Sequence, residues 1–179
     1  MSQKLCSILF LVFVISSFRP IQSRKYNPKK PCKRFSVHMH EILFDGNNAA
    51  NATAAVAVNQ TKLNSYGFGE FTVFNDKLTA DSNLSSPSVG RGQGFYVFNM
   101  RTPGFNAWVG LSLVFNNSFK YKGTLTITGA DLISQGTRDI PIVGGTGDFF
   151  MARGIATITT EFEGDTYFRL LIDVKLYEC

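Results

Sequence analysis

Two cysteines, Cys32 and Cys179, stand almost at opposite ends of the chain once an N-terminal leader is set aside. Between them run short, Gly-punctuated segments rich in Phe, Val, Ile and Thr. A chain whose ends meet through its cysteines must return to where it began, and short strands do that most simply as one closed β domain. The alternative for these thiols is that one stays free and reactive. Neither has a neighbour at metal-ligand spacing.

The leader explains why Cys6 is left out. Lys4 precedes an uncharged apolar run, Leu5 to Phe18, and Ser23 offers a small residue for cleavage, which is the pattern of a secretory signal over residues 1–23. The run is shorter than the roughly 20 residues a membrane helix needs. The competing reading is an N-terminal anchor. Secretion implies an oxidising compartment. There Cys32 and Cys179 allow a single intramolecular bridge, and closing so long a loop is worth roughly 5 kcal/mol in the chain-entropy account. Four Asn-x-Ser/Thr sequons, at Asn51, Asn59, Asn83 and Asn116, fit a surface-glycosylated exported protein.

The formal charge of +5 becomes +3 when Lys4 and Arg19 leave, with 16 basic against 13 acidic residues. Much of the excess lies in residues 24–34, a Pro-containing basic stretch that reads as an exposed arm. Nucleic-acid binding suits an exported protein poorly. The arm is either simply solvated or loosely drawn to an anionic matrix such as pectin. About 150 residues follow the arm, enough for one domain with a sizeable core, here taken as 35–179.

No segment carries the i, i+3, i+4, i+7 stripe of a helix, and period-two alternation recurs throughout. In 34–44, Phe35, Val37, Met39, Glu41 and Leu43 share one face, opposite Ser36, His38 and His40. Further strands are expected at 53–58, 69–74, 89–98, 105–115, 123–131, 151–160 and 166–177, with Arg138 in phase with Ile140 and Ile142. Residues 82–87 read as a loop, and 144–148 as a tight bend without the Lys-Ser/Thr ending of a phosphate loop. The sum is all-β, an eight-stranded antiparallel barrel, which removes exposed sheet edges and leaves an interior that is packed or holds one small ligand. Gly90, Gly92 and Gly94 share a face with Tyr96 and Phe98. If that face points inward, the missing side chains either leave room for a ligand or let a curved strand pack closely.

Glu41, Asp131 and Arg138 fall in phase with apolar faces, where an unpaired charge is expensive. A neutral acid there can donate a proton to a carbonyl oxygen, a carboxylate can accept one from a hydroxyl, and the guanidinium can stabilise a phenolate. The bland alternative is a salt bridge of Arg138 with Asp131 or Asp139 at the barrel end. His38 and His40 on the outer face lack a third metal ligand and read as a surface or partly packed pair. No nucleophile elbow, Cys–His dyad, haem motif or copper cluster appears, so neither a cofactor nor an oxidase centre is expected.

Pro31-Cys-Lys33, His40–Gly46, Asn51–Thr53, Gly129–Asp131, Thr137–Asp139, Gly144–Gly154 and Tyr167–Arg169 together resemble the plant dirigent family, closest to its pinoresinol- and lignan-forming subgroup, from about Pro31 to Cys179. The resemblance implies an allene-oxide-cyclase-like barrel, usually trimeric, secreted to the cell wall. It implies no oxidation by the protein itself: a laccase or peroxidase makes coniferyl alcohol radicals, and the barrel guides which faces couple to a lignan or neolignan. Glu41, Asp131 and Arg138 match the family's acidic and basic site residues, and Tyr96, with Phe98, its aromatic substrate contacts. Departures are Glu41 for the usual Asp, Phe98 for a second tyrosine, Asn99 for the following Asp, glycines rather than alanines around Arg91, and an extra residue near 102–104. Two other functions fit the residues, a lyase or cyclase acting on a quinone-methide-type intermediate and a plain carrier of small aromatics. Phe95 and Val97 are expected outside the barrel, where they would suit a subunit interface.

Overall fold

The computed structural model describes residues 30–63, 67–101, 104–115 and 120–179. The expected signal segment, residues 24–29 of the arm and the sequon at Asn116 lie outside the described residues. Nine strands run in order: β1 (Lys33–Ile42), β2 (Ala54–Val58), β3 (Phe71–Thr79), β4 (Ser88–Phe98), β5 (Ala107–Phe115), β6 (Gly123–Asp131), β7 (Thr137–Gly147), β8 (Arg153–Glu163) and β9 (Tyr167–Glu178). Lys33 and Arg34 therefore belong to the first strand rather than to a free arm. Their anchors are the Lys33 Nζ bond to the Asp148 carbonyl and the Arg34–Asp173 ion pair at 2.8 Å.

Pairing runs β1-β9-β8-β7-β6-β5-β4-β3, and β3 returns to β1 through His38–Thr79, Met39–Leu78 and His40–Lys77. Eight antiparallel strands thus close on themselves. Closure satisfies the backbone of strands that would otherwise be edges. β2 lies outside this ring on β3 and meets β1 only by the Leu43–Ala54 bridge.

Two strands reach further than their sequence suggests. The third continues past Phe74 through Asn75-Asp76-Lys77 to Thr79, because it pairs with both β1 and β4 along that length. The seventh carries Arg138 and runs on through Gly144–Gly147, paired with Gly123–Thr126. The bend expected at 144–148 falls at its end, where Asp148–Met151 turn.

Alternation decides what goes inside. Val37, Leu78, Leu113, Leu125, Ile127, Ile140, Ile172, Val174 and Leu176 are inaccessible to solvent. One end is stopped by aromatic rings: Phe35 packs at 5.6–5.8 Å against Phe115 and Phe149, with Tyr121 against both Phe35 and Phe149. At the other end the inward residues Tyr96, Phe98, Phe168 and Leu170 are half-buried, so the barrel is plugged at one end and has a mouth at the other.

Glycines of β4 do not leave a ligand cavity. A Cβ on Gly92 would meet Met39 Sδ at 2.6 Å, and one on Gly94 would meet the Gly110 carbonyl at 2.0 Å. The space is taken by a neighbouring side chain and by the adjacent backbone, so of the two expectations for these glycines, close packing of a coiled strand holds.

Cys32 and Cys179 are joined, with Cα atoms 6.4 Å apart. The bridge ties the start of β1 to the end of β9, strands already paired. Its effect therefore falls mainly on the unfolded chain, where it closes a loop spanning 147 positions. Replacing both cysteines by serine should lower stability by up to about 5 kcal/mol and the melting temperature by roughly 10 °C, with an unchanged far-UV circular dichroism spectrum in the cold. An unshifted melting curve would show that the bridge constrains nothing the fold has not already fixed.

Candidate functional site

At the mouth the backbone ladder lets go in two places. On one side, β1 and β3 part just beyond His40–Lys77, and the chain at Thr53 enters between them: Thr53 N–H donates to the Ile42 carbonyl, and Asn75 N–H donates to the Thr53 carbonyl. On the other side, the β6–β7 ladder ends at Ile127–Ile142. Pro141 lies next toward the mouth and has no N–H to give. A φ of +149° at Gly129, against the Pro141 ring, accompanies the separation.

Asp131 and Arg138 bridge the second gap. Arg138 Nε donates to Asp131 Oδ1 at 2.6 Å and Nη2 to Oδ2 at 3.4 Å, while Nη1 donates to Thr160 Oγ1 at 2.8 Å and to the Gly136 carbonyl at 3.3 Å. The guanidinium side chain is 3% exposed and the carboxylate 12%. Of the two partners considered for Arg138, Asp131 is the one used. Asp139 points outward and accepts from Thr157. Each half of the pair compensates the charge of the other in a nearly buried setting.

Glu41 stands at the first gap, 7% exposed, with no cation bonded to it among the described residues. Tyr96 O–H donates to its Oε1 at 3.2 Å. Burial pushes the Glu41 carboxyl up, against the opposing pull of that hydrogen bond, and the charge of Asp131 pushes it further. The Tyr96 phenol is raised as well, by burial first and by the Glu41 charge second. Both therefore hold their protons to higher pH than an exposed carboxyl or phenol would.

Aromatic rings make the apolar wall. Tyr96 stacks against Phe74 at 6.1 Å and meets Phe98 edge-on at 5.6 Å, and Phe98 meets the exposed Phe105 edge-on at 6.0 Å. Glu41, Tyr96, Phe98, Asp131 and Arg138 are thus gathered at one end of the barrel, which strand phase alone does not specify.

Asp76 is an acid of the same site that sequence reasoning missed. It points inward from β3 and is inaccessible to solvent. Burial pushes its carboxyl up, and the nearby Glu41 adds to the rise. The signal was available: Thr72, Phe74, Asp76 and Leu78 alternate in phase. It was hidden because Asn-Asp-Lys has the composition of a turn, which places the end of the strand before it.

The histidines part company. His38 lies outside against Glu161 at 3.0 Å, whereas His40 is fully buried between Thr79 Oγ1 and the Tyr167 hydroxyl, each at 2.7 Å. Burial holds the His40 imidazole down to about 4, so it is a neutral, hydrogen-bonded strut. Among the described residues, no cluster of His, Cys, Asp or Glu has the makings of a metal site, and no helix is long and apolar enough to cross a membrane. Asn51, Asn59 and Asn83 are exposed. Outside the barrel Phe95 stacks on Phe71 at 5.1 Å and leans on Trp108 at 5.9 Å, while Val97 is half-buried.

A family model for dirigent-like proteins matches residues 32–177. Dirigent protein 14 of Arabidopsis thaliana is 46% identical over 168 residues, 93% of this chain and 88% of the relative. A dirigent protein of Sinopodophyllum hexandrum is 41% identical over 191 residues, covering 99% of this chain and 98% of its own. Among solved structures, a pterocarpan synthase dirigent protein superposes with a TM-score of 0.70 at 22% identity, over 80% of this chain and 88% of that one. A pyocyanin demethylase does so with 0.58 at 16% identity, over 80% and 99%. The two solved structures share the barrel. The chain belongs to the dirigent family.

The buried ion pair makes a prediction of its own. Arg138→Met or Asp131→Leu alone should cost about 3–5 kcal/mol, because each strands a buried charge, whereas the double variant should recover most of that loss. Urea melts of the three variants check this. A double variant as damaged as the sum of the singles would mean that the two charges do not compensate one another.

Proposed function

We propose that this dirigent barrel steers the coupling of two monolignol phenoxy radicals, of the coniferyl alcohol type, to an optically active lignan or neolignan. A separate laccase or peroxidase removes one electron and one proton from each phenol. The observation that carries the reading is the pairing, at one mouth, of half-buried aromatic rings with carboxyl groups, one held by a guanidinium and one by a phenol. Flat phenols stack on Tyr96 and Phe98. The Arg138–Asp131 pair and Glu41 offer hydrogen bonds to phenolic and side-chain oxygens, fixing which faces of the two radicals meet.

Coupling of two radicals needs no acid. The acids serve the ring closure after it. In the bis-quinone methide each carbonyl oxygen takes up a proton as a side-chain hydroxyl attacks the methide carbon and loses its own. Proton donation and acceptance balance, and a protonated carboxyl beside a carboxylate performs both. This gives the protein acid–base assistance without oxidation. The same acids favour one second reading, a lyase or cyclase that works on a closed-shell quinone methide without any oxidant.

The leader, the exposed sequons and the bridge support export to the plant cell wall with glycans at Asn51, Asn59 and Asn83. The exposed Phe71–Phe95–Trp108 stack supports burial between copies of a homotrimer.

The magnitudes make selectivity easy to lose. A preference of about 1.4 kcal/mol between coupling faces is a tenfold product ratio, and one hydrogen bond to a charged group contributes about 1.5–3 kcal/mol. With laccase and coniferyl alcohol, the native protein should give optically active product by chiral chromatography. Glu41→Gln and Arg138→Met/Asp131→Leu should return it close to racemic at an unchanged rate of alcohol consumption. A racemic product across a panel of monolignols defeats the reading, and full selectivity in both variants reduces the barrel to a carrier. Conversion of a quinone methide with laccase left out would instead establish the lyase.

A further inference from the structure

The gap between β1 and β3 contains a hydrogen-bond arrangement that leaves little choice about one proton. Thr53 Oγ1 accepts from Ile42 N–H at 2.9 Å, satisfying a backbone donor that has lost its neighbour in β3. The single hydroxyl hydrogen of Thr53 then goes to Asp76 Oδ1, at 2.6 Å. Asp76 Oδ1 is therefore occupied as an acceptor. Oδ2 is buried and accepts from no donor among the described residues. An ionised carboxylate with a solvent-inaccessible oxygen that no protein donor reaches is costly, whereas a carboxylic acid with its proton on Oδ2 costs far less.

The neighbours of Oδ2 are set by register. His40–Lys77 is the last pair of that ladder, and one residue beyond it, where the strands part, Glu41 and Asp76 both face inward, close enough for the Glu41 charge to act on the Asp76 carboxyl. From β4, Gly92 lies opposite Asp76 and contributes no side chain. Tyr96 of β4 reaches Glu41 rather than Asp76. Arg91 spends its guanidinium on Asn75, outside the barrel. His40 and Lys77 point to the outer face, and β2 has no ionisable residue. Asp131, the remaining acid at the mouth, is held by Arg138. The Arg91 charge still lowers the Asp76 carboxyl from outside, and among the described residues Glu41 is the acid whose charge raises it.

We infer that Asp76 and Glu41 form a paired acid holding one proton between them, with Asp76 the positioning residue that keeps that proton available at Glu41. The pair supplies the proton that the quinone-methide carbonyl oxygen takes up, becomes doubly ionised, and is reprotonated by the side-chain hydroxyl whose oxygen closes the ring. Asp131 is excluded from that duty by its guanidinium. Thr53 sets the direction of the relay, since it fills Oδ1 and leaves Oδ2 for the proton. This rests on the reading of the mouth as the coupling site. The pairing itself is tested without substrate, so that either can fail alone.

Isotope-edited infrared spectra of protein carrying 13C-carboxyl Asp and Glu would show the proton directly. The native protein should keep a protonated-carboxyl C=O band at pH 7, and in Asp76→Asn, which retains an acceptor for Thr53, that band should lose its Asp carboxyl component and titrate as a single Glu carboxyl. Glu41→Gln is the companion variant. Removing the neighbouring charge should leave a sharper single titration for Asp76, shifted to lower pH. Stability should follow the same sign. Carboxyls whose ordinary values are exceeded in the folded state stabilise it fully below about pH 4 and lose that contribution as pH rises through the raised values. Native melting temperature should therefore fall from pH 5 to pH 8, and Asp76→Asn should flatten the fall. If native protein lacks a protonated-carboxyl band at pH 7, or if the band is untouched in both variants, the paired acid does not exist. If the band behaves as stated while Asp76→Asn leaves product handedness and its pH profile unchanged, the pair exists but takes no part in the coupling.

Discussion

The mouth of this barrel depends on two places where the closed ladder stops before its strands do. β1 leaves β3 after His40–Lys77, and β6 leaves β7 after Ile127–Ile142. Each parting strands polar backbone and opens lateral space, and each is mended differently. At the first, Thr53 is wedged in and hands its hydroxyl hydrogen to Asp76. At the second, the Asp131–Arg138 pair spans the gap. The acids of the site stand where the sheet stops being able to satisfy itself. The same polar side chains that complete the fold there are presented to a ligand.

That origin gives the two sides opposite electrostatic characters. Asp131 has a cation and Arg138 has further acceptors in Thr160 and Gly136, so ionisation is compensated on the spot. Glu41 and Asp76 have a phenol, a hydroxyl and each other, and burial pushes both upward. Strands on either side of one lumen thus hold a charged pair and a proton-bearing pair. A rigid barrel keeps them apart, and the aromatic face of Tyr96 and Phe98 lies with the second.

The plugged end explains why such a mouth is tolerated. Stability is carried by the aromatic and aliphatic packing around Phe35, Phe149, Leu125, Ile127 and Ile172, together with the bridge from Cys32 to Cys179. That half contains no buried charge among the described residues. Polar burial at the other end, costly by itself, rides on a framework that does not need it. His40 belongs to the framework although its chemistry suggests otherwise, because Thr79 and Tyr167 occupy both its ring nitrogens.

Period-two alternation, end-placed cysteines and in-phase charges are enough to read, from residues alone, a closed antiparallel barrel whose Glu41, Asp131 and Arg138 face inward with Tyr96. Those are local facts: the direction of a side chain in a strand depends on its own parity. What alternation could not reveal is anything that depends on which strand lies next door. Asn75-Asp76-Lys77 reads as a turn until two partner strands hold it extended, and so Asp76 stayed out of sight. Gly92 reads as room until Met39 is seen to fill it, and Arg138 had two candidate partners until β6 and β7 were placed. Side-chain parity is written in one dimension, whereas occupancy, partnership and the sharing of a proton are set by neighbours that only closure of the barrel brings together.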